Sequence, residues 1–512
     1  MRPGTCSTTI PGSSSGPGGL LHRQFLGRAT RRLFVRQWLL ALAAGTWLAA
    51  YVAAAPVRPN ILLLLSDDQR PDTIHALGNH QIETPNLDRL VRAGTVFTRA
   101  VSPNPLCVPA RKEILSGCCG LRHGRANFGP QFDPDQVPLS TVLREAGYHT
   151  WYVGKWHTQG RPMQNGFEQS LNLFMGGGGK VLQVDHAGRP VTGYVGYVLQ
   201  GDDGVKFPEK GVGLTPEISQ HFADGAIEFI RRRACEPFFL HVSFTAPHDP
   251  LLIPPGWKGR YMPDQVQVPA NFLPEHPFDH GNFNGRDEQL FAWPRTAEET
   301  RRELAAYYAV VSHMDQQIGR ILDALQETGQ AGNTVVVFTA DQGLAIGSHG
   351  LRGKQNMYEH TIGTPLVFAG PGIPQGCRRN AQCYLRDLYP TFCELAGATV
   401  PDVVQGKSLL PVIQGRVAAL YPAIFGYFSG VQRMVRTERW KLIAYPQIDR
   451  YQLFDLMSDP YETRDLAGDP QQAHVLEDLQ GKLLAWRKEV GDPLLDDLQF
   501  PAFFRKNSKP MK

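Results

Sequence analysis

The residues able to do chemistry gather just beyond four short apolar runs. Asn60 to Leu65 (NILLLL) leads into Ser66-Asp67-Asp68, and His149 to Val153 (HTWYV) into Gly154-Lys155-Trp156-His157. Pro237 to Thr245 (PFFLHVSFT) leads on to Pro247-His248-Asp249, and Thr334 to Ala340 (TVVVFTA) into Asp341-Gln342-Gly343. The carboxylates of Asp67, Asp68 and Asp341 and the amide oxygen of Gln342 are hard donors, suited to Ca²⁺ or Mg²⁺ and not to a soft metal. An Asp-Asp pair by itself reads as a turn or a helix cap. The second acidic run end turns the reading towards a cation site. Lys155 and His157 are two apart, so in extended chain they share a face. His248, set among prolines, is weak evidence taken alone.

A nucleophile comes from residues 107–117, CVPARKEILSG. Pro109 fits the first turn of a helix, where its missing N–H costs nothing. Cys107 then stands at the helix N-terminus, among unpaired amides and the positive end of the dipole. Arg111 is four residues on and shares its face. A nucleophile, a guanidinium and backbone donors thus surround one anion site. For Cys107 taken singly, a buried cysteine at a loop–helix junction is the plain alternative.

The four runs read as strands, buried on both faces where the apolar run is unbroken. Helical patterns lie between them, at about 139–147, 214–234 and 301–328. This alternation predicts an α/β fold, a large mostly parallel sheet sandwiched by helices. Ligands of such sheets bind beyond the carboxyl ends of the strands, so all four polar ends are expected at one site. Residues 250–297, rich in Pro, Gly, Asn and Asp, read as a long irregular insertion of functional or mobile character. From about residue 410 the pattern changes. Arg433 to Tyr445 and Tyr451 to Asp455 read as antiparallel strands, and 471–489 as a closing helix. The expected division is a catalytic domain over 56–409 and a small C-terminal α+β subdomain over 410–512.

The 512 residues allow two to four domains. Apolar content of 42% with 20% charged residues predicts a folded core. Residues 1–55 read as a signal peptide: a basic stretch, a charge-free run from Trp38, and small residues at Ala53-Ala54-Ala55. Thr30 to Arg36 (TRRLFVR) resembles a twin-arginine signal, which exports folded proteins. The protein is therefore expected in the periplasm or secreted, with the export machinery as a partner; an uncleaved signal would be just long enough to anchor it. The formal charge is +4, and removing the six arginines of residues 1–55, which contain no acid, gives +4 − 6 = −2. That balance argues against nucleic-acid binding. The eight cysteines include no C-x-x-C pair, which argues against a thiolate zinc site. Cys377 with Cys383, or Cys383 with Cys393, are open as disulfide pairs.

Cys107-Val108-Pro109-Ala110-Arg111 followed by Leu115-Ser116-Gly117 resembles the signature of type I, formylglycine-dependent sulfatases, an arylsulfatase-like family of the alkaline phosphatase superfamily. Ala110 stands where that family usually has Ser. Asp67-Asp68 resembles its first metal pair, Gly154 to His157 its G-K-W-H segment, and Pro247-His248 its third-strand histidine. Asp341-Gln342-Gly343 is similar to its Asp-Asn-Gly motif, with Gln for the commoner Asn. Gly353 to Glu359 (GKQNMYE) resembles the segment with a substrate lysine, here Lys354; Asp387 to Pro390 and Leu453 to Glu462 resemble landmarks of the fold. The likeness covers most of residues 58–490.

The resemblance implies an alkaline-phosphatase-like fold and hydrolysis of sulfate monoesters, on a sulfated carbohydrate or another sulfate ester. It implies conversion of Cys107 to formylglycine by a formylglycine-generating enzyme. Its hydrate attacks sulfur through one hydroxyl and releases sulfate with help from the other. It further implies one divalent metal, Ca²⁺ favoured over Mg²⁺, on Asp67, Asp68, Asp341 and Gln342. Arg111, Lys155 and Lys354 then neutralise charge. Of His157 and His248 one protonates the leaving oxygen and the other assists the nucleophile, with His248 and Lys354 placed on the leaving-group side. Two rivals stand beside this reading: a phosphodiesterase or phosphonate hydrolase on the same scaffold, and a non-catalytic sulfated-glycan binder with unmodified Cys107.

Overall fold

The computed structural model describes residues 58–496, apart from 123–124, 127–128 and 233–235. The signal read at 1–55 lies outside the described residues. Strand β1 (Asn60–Ser66) is buried at every position. A strand covered on both faces needs an unbroken apolar run, and NILLLL supplies one. The remaining strands of its sheet are β2 (Gly94–Val101), β3 (His149–Lys155), β4 (Gln169–Gly176), β5 (Tyr197–Gln200), β6 (Phe238–Ser243), β7 (Thr334–Ala340), β8 (Leu366–Ala369) and β9 (Cys377–Tyr384). Their order is β9-β2-β8-β7-β1-β6-β3-β4-β5.

β1 runs parallel to β6, with Leu62 beside Leu240, and parallel to β7, with Leu64 beside Phe338. β3 is parallel to β6 and β4. β8 lies antiparallel between β2 and β7, and β5 is antiparallel at the far edge. The sheet is thus mixed but mostly parallel. The four strands legible from apolar runs are its centre; β2, β8 and β9 extend it on the other side of β7.

Helices cover both faces: α1 (Pro85–Ala93), α2 (Cys107–Ser116), α3 (Leu139–Glu145), α4 (Ile218–Arg231), α5 (Ala297–Glu327) and α6 (Leu388–Ala396). Alternation along β1 divides its side chains between the two sides. Leu62 and Leu64 pack in one core with Phe222 and Phe229 of α4 and Tyr307 and Val311 of α5. Ile61, Leu63 and Leu65 pack in the other with Ile114 of α2, Leu143 of α3 and Phe392 of α6. Each such side chain contributes about 1.5–3 kcal/mol of hydrophobic stabilisation, which is why this strand can carry a costly polar end. α5 starts at Thr296, whose side chain accepts the Glu299 N–H, and Glu298 and Glu299 complement the dipole in its first turn.

A second, antiparallel sheet comprises β10 (Ile424–Phe428), β11 (Gln432–Arg436), β12 (Trp440–Tyr445) and β13 (Arg450–Asp455), in that order. Val435, Leu442 and Leu453 meet Leu479, Leu483 and Trp486 of the closing helix α7 (Ala473–Val490). Met434, Ile443 and Phe454 face Leu351, Met357 and Ile362.

Cys377 and Cys383 lie six positions apart on β9. At the rise of extended chain that separation is about 20 Å, far beyond disulfide reach. All six described cysteines are free, Cys383 and Cys393 included. Both pairings left open by the sequence are therefore absent. The insertion at 250–297 forms only short 3₁₀ turns, at Pro263–Gln265 and Glu288–Leu290. It is nonetheless packed inward: Arg295 and Glu288, both buried, pair at 2.7 Å.

Candidate active site

Asp67 and Asp68 follow β1, Lys155 ends β3, and Asp341 follows β7. Parallel strands bring these ends to one edge of the sheet. Asp68 adopts left-handed backbone, φ 63°. That conformation costs a non-glycine residue roughly 1 kcal/mol or more. It is held by the Asp68 N–H donating to Asp341 Oδ1 at 3.0 Å and the Tyr307 hydroxyl donating to Asp68 O at 2.6 Å. Gly154, φ 98°, has a similar positioning role. A Cβ there would lie 2.1 Å from Ser243 O, and the register shift at this point aims Lys155 into the site.

Cys107 opens α2, where Leu106 at the N-cap makes no side-chain capping bond. The first amides of the helix are thus left for an anion. Gly117, φ 68°, ends the helix by donating its N–H to Glu113 O.

All ten residues singled out from the sequence meet here. Lys155 Nζ lies 2.6 Å from Asp67 Oδ2. Lys354 Nζ lies 2.9 and 2.7 Å from the two oxygens of Asp68 and 3.3 Å from Cys107 Sγ. Arg111 Nε donates to Asp341 Oδ2 at 3.0 Å, and its Nη2 lies 3.4 Å from Asp67 Oδ1. Gln342 Nε2 is 2.6 Å from Asp68 Oδ1 and 3.3 Å from Cys107 Sγ. His248 Nε2 is 3.6 Å from Asp68 Oδ2. His157 lines the same cavity of about 370 Å³ as Cys107, His248 and Lys354.

Burial would raise the Asp67 carboxyl, but Lys155, then His248, Arg111 and Lys354, hold it well below the usual carboxylate range. Asp341 goes the other way: burial, then the Asp67 charge, pushes it up to about 6. Burial and Asp67 push the Cys107 thiol up to about 12. Burial, with Lys155 and Arg111 beside it, takes His157 down to about 2, and burial with Lys354 lowers His248.

The donor set fits a hard divalent cation. Ligand atoms of Asp67, Asp68, Cys107 and His248 lie within 4.8 Å of one another. Gln342 Oε1 is buried without a hydrogen-bond partner. Turning that amide over would set its oxygen against the Asp68 carboxylate, a favourable contact only with a cation between them. Asp341 is more fully engaged, with its oxygens on Arg111 and the Asp68 N–H.

Sequence reasoning missed several neighbours. Tyr194 donates its hydroxyl to Asp67 Oδ2, and its ring lies 5.0 Å from Lys155 Nζ and 4.7 Å from the His248 ring. Asp249 Oδ1 lies 3.3 Å from His248 Nδ1. Arg286 and Asp287 also line the cavity. Tyr194, Arg286 and Asp287 stand in irregular chain with no motif around them. For Asp249, adjacency to His248 was a signal that could have found it.

The family described as Sulfatase matches residues 59–398, and the one described as N-sulphoglucosamine sulphohydrolase, C-terminal, matches 347–489. The chain is 30% identical over 443 residues to an arylsulfatase of Clostridium perfringens, covering 80% of this chain and 90% of that protein. It is 27% identical over 506 residues to an N-acetylglucosamine-6-O-sulfatase of Bacteroides thetaiotaomicron, covering 85% and 87% respectively. Its fold is similar, at a TM-score of 0.70 and 24% identity, to the solved structure of BT4656 in complex with its substrate D-glucosamine-2-N,6-O-disulfate, covering 86% of this chain and 100% of that one.

Proposed function

The chain belongs to the sulfatase family and hydrolyses sulfate esters, and from that premise we propose that it desulfates a sulfated carbohydrate, using formylglycine at position 107 and a divalent cation, Ca²⁺ in preference to Mg²⁺. The observation that carries this reading is the setting of Cys107. Its sulfur lies among Asp67, Gln342 and Lys354, and a thiol raised to about 12 is a poor source of thiolate at neutral pH. The hydrated aldehyde supplies what a thiol lacks, a second hydroxyl through which sulfate can be released. A formylglycine-generating enzyme is then a required partner.

Asp67, Asp68, Asp341 and Gln342 would hold the cation, whose chemistry is to polarise sulfate oxygens and favour an ionised nucleophile. Against the three carboxylates stand three cations, Arg111, Lys155 and Lys354. Their charges cancel, so a divalent ion leaves two positive charges for an ester monoanion and an anionic nucleophile. Arg111 and Lys155 orient that charge in a buried setting where water screens it least. Lys354 and His248 face the leaving oxygen. Asp249 O lies 2.6 Å from His248 Nδ1 and accepts a hydrogen bond from its N–H, which leaves Nε2 for the cavity. His157 assists the nucleophile.

A carbohydrate substrate is supported by the N-acetylglucosamine-6-O-sulfatase relative and by a cavity that combines Tyr194 and Tyr197 with polar groups. Among the described residues no helix is long and apolar enough to cross a membrane. Export by a twin-arginine route to the periplasm or beyond is part of the same proposal. Replacing Arg31 and Arg32 by lysine should trap precursor inside the cell with position 107 already modified.

Mass spectrometry of the peptide containing position 107 tests the central point. An aldehyde in active protein supports it; an unmodified thiol in fully active protein overturns it. Turnover of aryl sulfate well above aryl phosphate is the companion result that sets aside the phosphoester rival.

A further inference from the structure

The outer wall of the catalytic cavity holds hydrogen-bonding capacity that the protein itself leaves unused. Arg286 grips Asp249 with two parallel bonds, Nη1 to Oδ2 at 2.7 Å and Nη2 to Oδ1 at 2.8 Å, and Nη2 also donates to Asp287 Oδ1. That employs three of the five N–H groups of a guanidinium. The Arg286 side chain is 36% exposed. Asp287 is only 1% exposed, and its second oxygen, Oδ2, is buried without any hydrogen-bond partner.

Neither residue is placed loosely. Asp249 fixes Arg286, Arg286 fixes Asp287, and the backbone at Gly193 closes over the group. A Cβ at position 193 would lie 2.8 Å from Arg286 Nη1 and 2.8 Å from Asp249 O, so only glycine permits this approach. Arg286 and Asp287 line the same cavity as Cys107 and Lys354. The free donors and the free acceptor therefore belong to two joined side chains on the wall of the cavity that holds the sulfur position.

A spare donor beside a spare carboxylate oxygen matches a hydroxyl, which donates and accepts at once. It does not match an anion. Arg286 is shared between Asp249 and Asp287, and Arg352 Nη1 also lies 3.7 Å from Asp249 Oδ1, so the group offers an arriving anion no uncommitted positive charge. A carboxylate or second sulfate there would set its oxygens against Asp287 Oδ2, acceptor to acceptor. A ligand with nothing there leaves a desolvated carboxylate unpaired, and sites built for a hydroxyl discriminate strongly against its loss.

We propose that Arg286 and Asp287 determine specificity by reading one free hydroxyl of the sulfated sugar ring, Asp287 Oδ2 accepting a hydrogen bond from its O–H and Arg286 donating to its oxygen. The inference rests on the carbohydrate reading of the site. The substrate class it names is a sugar sulfated at the scissile position and unsulfated at the position facing this pair.

The test begins with the wild-type protein and methyl hexopyranosides carrying a single sulfate at each position in turn. For the best of them, kcat/KM is measured against its monodeoxy analogues and its disulfated analogues. One deoxy position should cost at least about a hundredfold, and a sulfate at that same position should cost as much. In Asp287→Asn the penalty for that deoxy analogue should shrink to less than about threefold, as coupled groups require. If no deoxy position costs the wild type more than about threefold, the proposal fails without any variant having to fold. It fails too if Asp287→Asn keeps the full discrimination. If the wild type cleaves 4-nitrophenyl sulfate but none of the monosulfated sugars, the carbohydrate reading falls, and this inference with it.

Discussion

Two regions of the molecule bury charge, and they do so differently. Beneath the second sheet, Arg433 and Asp492 are both buried and paired at 2.7 and 2.8 Å, and Arg433 Nη1 also donates to Ser429 O and Gln432 O at 2.7 Å. Around Cys107 three carboxylates face three cations at similar distances. Unpartnered buried atoms occur in both regions, Ser429 Oγ and Gln432 Oε1 near Arg433 and Gln342 Oε1 near Cys107, but His157 Nδ1 and Asp287 Oδ2 belong to residues that line the cavity beside Cys107. Buried charge alone therefore does not mark a site. Buried charge with unused hydrogen-bonding capacity next to open space does, because such groups are costly unless a ligand completes them.

Removing the nucleophile should give the largest effect. Cys107→Ala is expected to lower kcat for aryl sulfate by at least about a thousandfold, by analogy with loss of other covalent nucleophiles. The melting temperature should hardly move, since the side chain is small. Full activity in this variant would end the formylglycine proposal.

Breaking one ion pair in each region separates stability from activity. Asp67→Ala strands Lys155, which is fully buried, and Asp492→Asn weakens the support of Arg433. Loss of a buried partner costs about 3–5 kcal/mol, so both variants should melt early. Only Asp67→Ala should also lose divalent-ion binding and turnover per folded molecule. Equal kcat in the two variants, or calorimetry showing undiminished metal affinity in Asp67→Ala, would erase the distinction drawn between the regions.

Acid should sharpen the comparison least but across the whole molecule. Burial pushes His313 and His276 down to about 4 and His241 and His349 to about 3. Unfolded, these side chains accept protons below about 6.5. The folded state accepts fewer, so on their account stability should fall as pH drops from about 6.5 towards 4. A melting temperature unchanged between pH 7 and pH 5 would contradict this. Each histidine accounts for at most a few kcal/mol over that range.

Much of the site was written locally. NILLLL encodes a strand buried on both faces, and the polar residues after it fall at the strand end by chain order alone. Cys107, Pro109 and Arg111 share one helical turn and a little more, so their geometry follows from helix periodicity. The centre of the sheet was legible for the same reason, since β1, β6 and β7 are mostly apolar and buried at every position. The antiparallel β8 was not, because four residues carry too little periodic signal to fix direction. The tertiary structure alone decided the partners. Tyr194 reaches Asp67 across 127 positions of sequence, and Arg286 reaches Asp249 across 37. Loops leave no periodic trace, and a hydrogen bond between distant residues depends on where the fold returns the chain. The sequence by itself thus determined which chemistry the strand ends carry, while only folding decided which loop residues close around them and which of their atoms remain free for a substrate.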